Sequence, residues 1–173
     1  MVLIMSLTGI STKEKIINNA KWQATQSVTY DGKYTILKYP LGDVPANIGV
    51  CTDVIIRAYR AADIDLQVRV HEDIIMYPEI YKLKKIDSNI DHRRCTVLRK
   101  FFKRHKAQLP ITGTYSPGDI VFWDVAAGHV GIVVDIKVPG TNRYYVCHNI
   151  GGGPHVEDFL YGATIVDHYR WNI

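Results

Sequence analysis

The chain has 173 residues, 47% apolar and 22% charged, which fits one globular domain and excludes disordered and collagen-like classes and a second catalytic unit. The formal charge of +4 biases the surface only mildly toward anionic partners, and no run approaches the ~18 apolar residues of a membrane-spanning helix. The cysteines, Cys51, Cys95 and Cys147, are odd in number, which argues against a disulfide-stapled scaffold and leaves at least one thiol free.

Met1 to Gly9 is briefly apolar but has no basic leader, so it does not read as an intact signal peptide. Ser11 to Glu14 is a capping box, and Ile16, Ile17 and Ala20 follow at helical spacing. Asp31-Gly32 marks a turn between short extended pieces, and Pro40, Gly42, Pro45 and Gly49 make Tyr39 to Gly49 an irregular loop. A helix is expected from Cys51, with Val54, Ile55, Ala58 and Ala62 on its apolar side. Another runs from about Val70 to Tyr77 and breaks at Pro78, and a third runs from about Cys95 to Lys106. Beyond Pro110, four β-branched or aromatic runs read as strands: Asp119 to Trp123, His129 to Ile136, Arg143 to Asn149 and Thr164 to Trp171. Helices first and strands second predict an α+β domain over 1–173, with helices packed on one face of an antiparallel sheet and residues 1–27 as an N-terminal helical extension.

Cys51 stands where a Gly-rich loop turns into a helix. Unpaired N–H groups and the helix dipole there favour a thiolate and can hold an oxyanion. Position alone favours a small buried hydrophobe, which is what most free cysteines are. A nucleophilic Cys needs a base, and His129 opens a strand beside Gly131, whose missing side chain leaves space on the His face. A turn at Pro139-Gly140 would set the next strand antiparallel and bring His148 alongside His129, with Cys147 pointing to the opposite face as a packing residue. Cys95 and Cys147 are both expected to be dispensable.

Tyr115-Ser116-Pro117-Gly118-Asp119-Ile120-Val121-Phe122-Trp123, followed by Gly128-His129-Val130-Gly131-Ile132-Val133, resembles the central signature of the NlpC-type cysteine hydrolases, papain-like enzymes of the bacterial cell wall. Gly49-Val50-Cys51-Thr52-Asp53 falls where their nucleophile motif belongs and is similar to the Gly-x-Cys-Thr of the CHAP amidases. Adding Gly42-Asp43-Val44-Pro45, Val70-His71-Glu72-Asp73, Asn89-Ile90-Asp91-His92-Arg93-Arg94 and His148-Asn149-Ile150-Gly151-Gly152-Gly153, residues 28–171 resemble the YijF-like bacterial family of unknown function, placed in the same superfamily. The resemblance implies a papain-like fold, Cys51 as nucleophile, His129 as base and His148 as the third polar residue, with Asn149 as the alternative for that last role and otherwise a substrate contact. It implies an amidase or endopeptidase of peptidoglycan that needs no cofactor and works in the periplasm or cell envelope. The setting is either a housekeeping enzyme or a toxin delivered into a rival's periplasm, the latter with an immunity protein as partner.

Many NlpC-type enzymes carry Asp before the Cys and Ser after it, where this chain has Val50 and Thr52. Without that acid a free amino terminus lacks its partner, unless Asp43 or Asp53 replaces it. Arg93 and Arg94 are candidates to fork onto stem-peptide carboxylates, and Arg93 to Lys106 reads as an amphipathic basic helix. His92, Cys95, Cys147 and His148 lack metal-ligand spacing, so no metal is expected, and no nucleic-acid signature is present. Two rival readings keep different parts of this picture: acyl transfer or protein deamidation by the same residues, and a catalytically silent wall-binding module.

Overall fold

The computed structural model describes residues 9–105 and 107–171. Lys106, the expected end of the third helix, and all but Gly9 of the apolar N-terminal stretch lie outside the described residues. The first helix, α1 (Thr12–Gln23), starts at the predicted box: Ser11 Oγ accepts the Glu14 N–H at 3.2 Å, and the Glu14 carboxylate accepts the Ser11 N–H at 2.8 Å. Ile16, Ile17 and Ala20 are buried against the core, so α1 is part of the domain's packing and not an appendage to it.

Two short strands, β1 (Thr29–Tyr30) and β2 (Ile48–Gly49), pair in parallel and close the loop between them. The chain then enters α2 (Cys51–Arg60), which buries Val54, Ile55 and Ala58 as its spacing predicts. Next is α3 (Leu66–Met76), capped by Asp65, whose carboxylate accepts the Gln67 N–H at 2.9 Å. It begins four residues before the sequence pattern suggests and ends ahead of Pro78, which opens the single turn α4 (Pro78–Tyr81). A 3₁₀ turn at Asp91–Arg93 leads into α5 (Cys95–Arg104).

The sheet holds β3 (Gln108–Leu109), β4 (Ile120–Trp123), β5 (His129–Lys137), β6 (Tyr144–His148), β7 (His155–Glu157) and β8 (Ile165–Tyr169). Its order is β3-β8-β4-β5-β6-β7, and every pairing is antiparallel. The expected α+β arrangement therefore forms, with β3 and β7 added to the four strands read from the sequence. Strand alternation sorts the side chains. Ile120, Phe122, Val130, Ile132, Val134 and Cys147 face the helices, and Val121, Trp123, Val133 and Val146 form a second, smaller core on the other side.

The Ser116-Pro117-Gly118-Asp119 signature is a structural clasp. The buried Asp119 carboxylate accepts from Ser116 N–H at 2.8 Å, His168 Nε2 at 2.7 Å and Arg170 Nε at 2.7 Å, tying the start of β4 to the end of β8. Burial pushes its pKa up, but these donors outweigh burial and hold it below the ordinary carboxylate value.

Candidate active site

The first turn of α2 carries the nucleophile candidate. Val50 caps it with backbone only, and the Asp53 carboxylate takes the Val50 N–H at 2.7 Å. Cys51 is thus the first helical residue and is 5% exposed. His129 begins β5, and it and the Val130 N–H are among the groups that lower the Cys51 pKa. The other side of the imidazole is engaged: His129 Nε2 and His148 Nδ1 lie 2.7 Å apart, and His148 Nε2 lies 2.9 Å from Glu157 Oε1.

This chain of contacts dictates the tautomers. An ionised carboxylate only accepts, so His148 Nε2 carries a hydrogen and donates to Glu157. The His148 pKa is lowered to about 4 by burial and by the neighbouring His129 charge, so the ring is neutral at pH 7 and its Nδ1 is an acceptor. His129 must then donate from Nε2, which leaves the Nδ1 lone pair for the Cys51 proton. Glu157, His148 and His129 are aligned so that a positive charge arising on His129 is stabilised through His148. Phe159 stacks on His148 with centroids 4.3 Å apart, and Trp123 lies 5.6 Å from His129, so the two rings are held in an aromatic enclosure.

Gly131 has a different role from the one its sequence context suggests. It pairs with His148 across the ladder, and a Cβ there would come within 3.0 Å of the His148 Cβ and 2.9 Å of Val146 Cγ1. The missing side chain makes room for the second histidine.

The Cys51 pKa is lowered to about 5. The largest cause is a hydrogen bond from the Cys95 thiol, and burial opposes it; the His129 hydrogen bond, the His129 charge and the Val130 N–H add to the lowering. Cys95 moves the other way, pushed up by the same hydrogen bond and by burial. Cys95, expected to be dispensable, is the first residue of α5 and the largest influence on the Cys51 pKa. Cys147 is the packing residue that strand alternation predicts: its thiol donates to Ala20 O at 3.1 Å, and burial pushes its pKa up to about 12. Iodoacetamide labelling against pH will therefore show one thiol with a midpoint near pH 5, absent in Cys51→Ala. Below that pH the sulfur is protonated and slow, and above it the thiolate reacts. Cys95→Ala will move the midpoint upward by removing the largest lowering contact. A midpoint near 9 in the wild type would contradict the site as described.

The five residues expected to touch substrate are held by the protein itself. The Arg93 guanidinium makes two 2.8 Å bonds to Asp53, and both side chains are 2% exposed, so neither can face a ligand. Asp43 is bound by Arg57 at 2.9 Å and Arg60 at 3.0 Å. Arg94 pairs with Asp91 at 2.9 Å. Asn149 donates to Gly49 O and accepts the Gly151 and Gly153 N–H groups, fastening the Gly-rich turn to the residues before Cys51. It does not orient His129, because His148 occupies that place. The basic side of α5 is likewise partnered, with Arg99 on Asp167, Arg104 on Asp73 and Lys100 on the Ile80 and Tyr81 carbonyls. Alternation and helical spacing show which way a side chain points, but not which distant acid meets it.

Three contributors escaped the sequence reading. Glu157 sits on β7, a three-residue edge strand too short for periodicity to reveal. Cys95 carried the same signal as Cys51, a cysteine opening a helix. Tyr30, at the end of β1, has its pKa raised first by burial and then by the charges of Cys51, Asp53 and Cys95.

Among the described residues no helix is long and apolar enough to cross a membrane. No solved structure matches the chain. The uncharacterized protein YijF of Escherichia coli (strain K12) is 43% identical over an alignment of 171 residues that covers 93% of this chain and 82% of that protein. Residues 17–171, from within α1 to the stretch beyond β8, match a domain of unknown function, DUF1287, and the chain belongs to that family.

Proposed function

We propose that this protein is a cysteine hydrolase of amide bonds with a papain-like, NlpC/CHAP-type arrangement, acting on bacterial peptidoglycan in the periplasm or cell envelope. The observation that carries the chemistry is Cys51 at a helix start, with its pKa lowered in part by His129, which is itself held through His148 to Glu157. The wall as substrate is supported by the resemblance of residues 49–53, 115–123 and 128–133 to the motifs of the NlpC-type and CHAP cell-wall enzymes.

Cys51 sulfur attacks the amide carbonyl, and the oxyanion forms beside the Cys51 backbone N–H. His129, protonated at Nδ1, gives that proton to the leaving amine. Water then attacks the thioester, with His129 taking its proton and Cys51 thiolate as leaving group. His148 and Glu157 position His129 and do not touch substrate. Glu157→Ala is expected to lower kcat roughly tenfold with KM little changed, because Glu157 acts through two rings, and Glu157→Gln to recover most of the loss by restoring an acceptor. An unchanged kcat in Glu157→Ala would remove Glu157 from the relay.

Substrate choice follows from what faces the sulfur. Val50 supplies no carboxylate, and Asp43 and Asp53 are held by arginines, so neither replaces the missing acid. A free amino terminus buried here would lack a partner, at a cost of several kcal/mol. Stem peptides attached to glycan are the better substrates in this reading. The deciding experiment is mass spectrometry of purified sacculi after incubation with wild type and Cys51→Ala. New muropeptides with a hydrolysed amide, seen only with the wild type, support the proposal. Transfer products would reassign the reaction, and unchanged sacculi would leave a binding module.

A further inference from the structure

The first turn of α2 is latched to the segment that launches α5. Thr52 Oγ1 donates to Arg93 O at 2.8 Å, and Asp53 holds the Arg93 guanidinium, so Arg93 is gripped by both main chain and side chain. Two residues further on, Cys95 opens α5. Its sulfur rests against the turn before β5: a Cβ on Gly128 would stand 3.2 Å from Cys95 Sγ, and Gly128, at φ +99°, holds a conformation that other residues rarely adopt. The next two residues, His129 and Val130, are among those that lower the Cys51 pKa. The latch and the Gly128 contact therefore bring the two helix starts together beside residues 128–130, the two thiols shift each other's pKa in opposite directions, and both cysteines are free.

We propose that Cys51 and Cys95 are a redox pair: on exposure to peroxide they form an intrachain disulfide that closes the site reversibly. This rests on Cys51 being the reactive thiolate of the reading above, but not on which bond the enzyme cleaves. In the first step Cys51 thiolate attacks one peroxide oxygen and the O–O bond breaks. A sulfenic acid forms on Cys51, and the other oxygen leaves as water after taking a proton. In the second step Cys95 sulfur attacks Cys51 sulfur. The S–S bond forms, the S–OH bond breaks, and the hydroxyl leaves as water with the Cys95 proton. Two thiols supply the two electrons that reduce one peroxide to two waters. Reopening needs two equivalents of a small monothiol or one dithiol, which are oxidised to their disulfide. A low-pKa cysteine with a second thiol at its side is the arrangement that traps the sulfenic acid before irreversible oxidation. Cys147 cannot substitute, because its thiol lies on the helix-facing side of β6, bonded to Ala20 O.

The test is peptide mapping of the full chain treated with equimolar hydrogen peroxide, denatured in iodoacetamide and digested with trypsin. The expected product joins peptide 39–57, which holds Cys51, to peptide 95–99, which opens with Cys95, and is lighter by two hydrogens than the sum of the two. Iodoacetamide labelling of native Cys51 falls about tenfold or more as the bridge forms and returns with dithiothreitol. In Cys95→Ser no such peptide appears, and a second equivalent of peroxide carries Cys51 from the sulfenic to the sulfinic acid, which dithiothreitol does not reverse. Sulfinic Cys51 in the wild type with Cys95 still alkylatable, or a bridge found only between two chains, overturns the proposal. Because the wild-type map needs no variant, misfolding of Cys95→Ser does not obscure the result. A bridge without sacculus hydrolysis defeats the functional reading alone, and hydrolysis without a bridge defeats the redox pair alone.

Discussion

Cys51→Ala will abolish hydrolysis, with a loss of kcat of at least about 10⁴-fold, because an alanine methyl offers no nucleophile and His129 no longer has a sulfur to deprotonate. The fold will survive. Cys51 is a small buried side chain whose replacement by alanine removes one sulfur atom, so the stability change is expected on the order of 1 kcal/mol. Thermal unfolding beside a muropeptide digest separates the two effects. Cys147→Ser, placed on the far face of β6, is the matched control for removal of a thiol. Digestion by Cys51→Ala at the wild-type rate would end the assignment of Cys51 as nucleophile.

The second large effect is structural. Arg93 and Asp53 form a paired charge with both side chains 2% exposed, and Asp53 also receives the Val50 N–H that precedes Cys51. Removing one partner leaves the other charge buried without its counter-ion, which costs about 3–5 kcal/mol. For a chain of this length that lowers Tm by on the order of 10 °C. Arg93→Ala and Asp53→Ala are each expected to show this loss. The double variant will lose clearly less than the sum of the two, because it leaves no lone charge. The single variants will also slow iodoacetamide labelling of Cys51, since the latch that sets α5 against α2 is opened. Additive losses in the double variant would mean that the two groups do not act as a pair.

Much of the local structure was legible in the residues. The Ser11–Glu14 box, the apolar spacing after Cys51, the break at Pro78 and the alternation through His129 and His148 each rest on interactions within a few residues. Short-range patterns of that kind are written directly in sequence. Strand alternation also placed His129 and His148 on one face and Cys147 on the other, as the two cores show. The boundaries of α3 and the short strands β3 and β7 were less visible, because a two- or three-residue strand exists only through its neighbour in the ladder.

The sequence by itself therefore determined an α+β chain with a cysteine at a helix start and two histidines on adjacent strands. Only the tertiary structure decided which charges meet. Asp53 and Arg93 are 40 residues apart, Arg99 and Asp167 are 68 apart, and no periodicity links such pairs. Burial then forces an ion to find a counter-ion, which took Asp53 and Arg93 out of reach of a ligand, while the more exposed Asp43, Arg94 and Arg99 are each paired within the chain. The same folding put β7 beside β6, giving His148 its carboxylate, and brought two helix starts together, placing a second thiol on the first. Those juxtapositions depend on strand order and helix docking, which are properties of the whole chain and not of any segment of it.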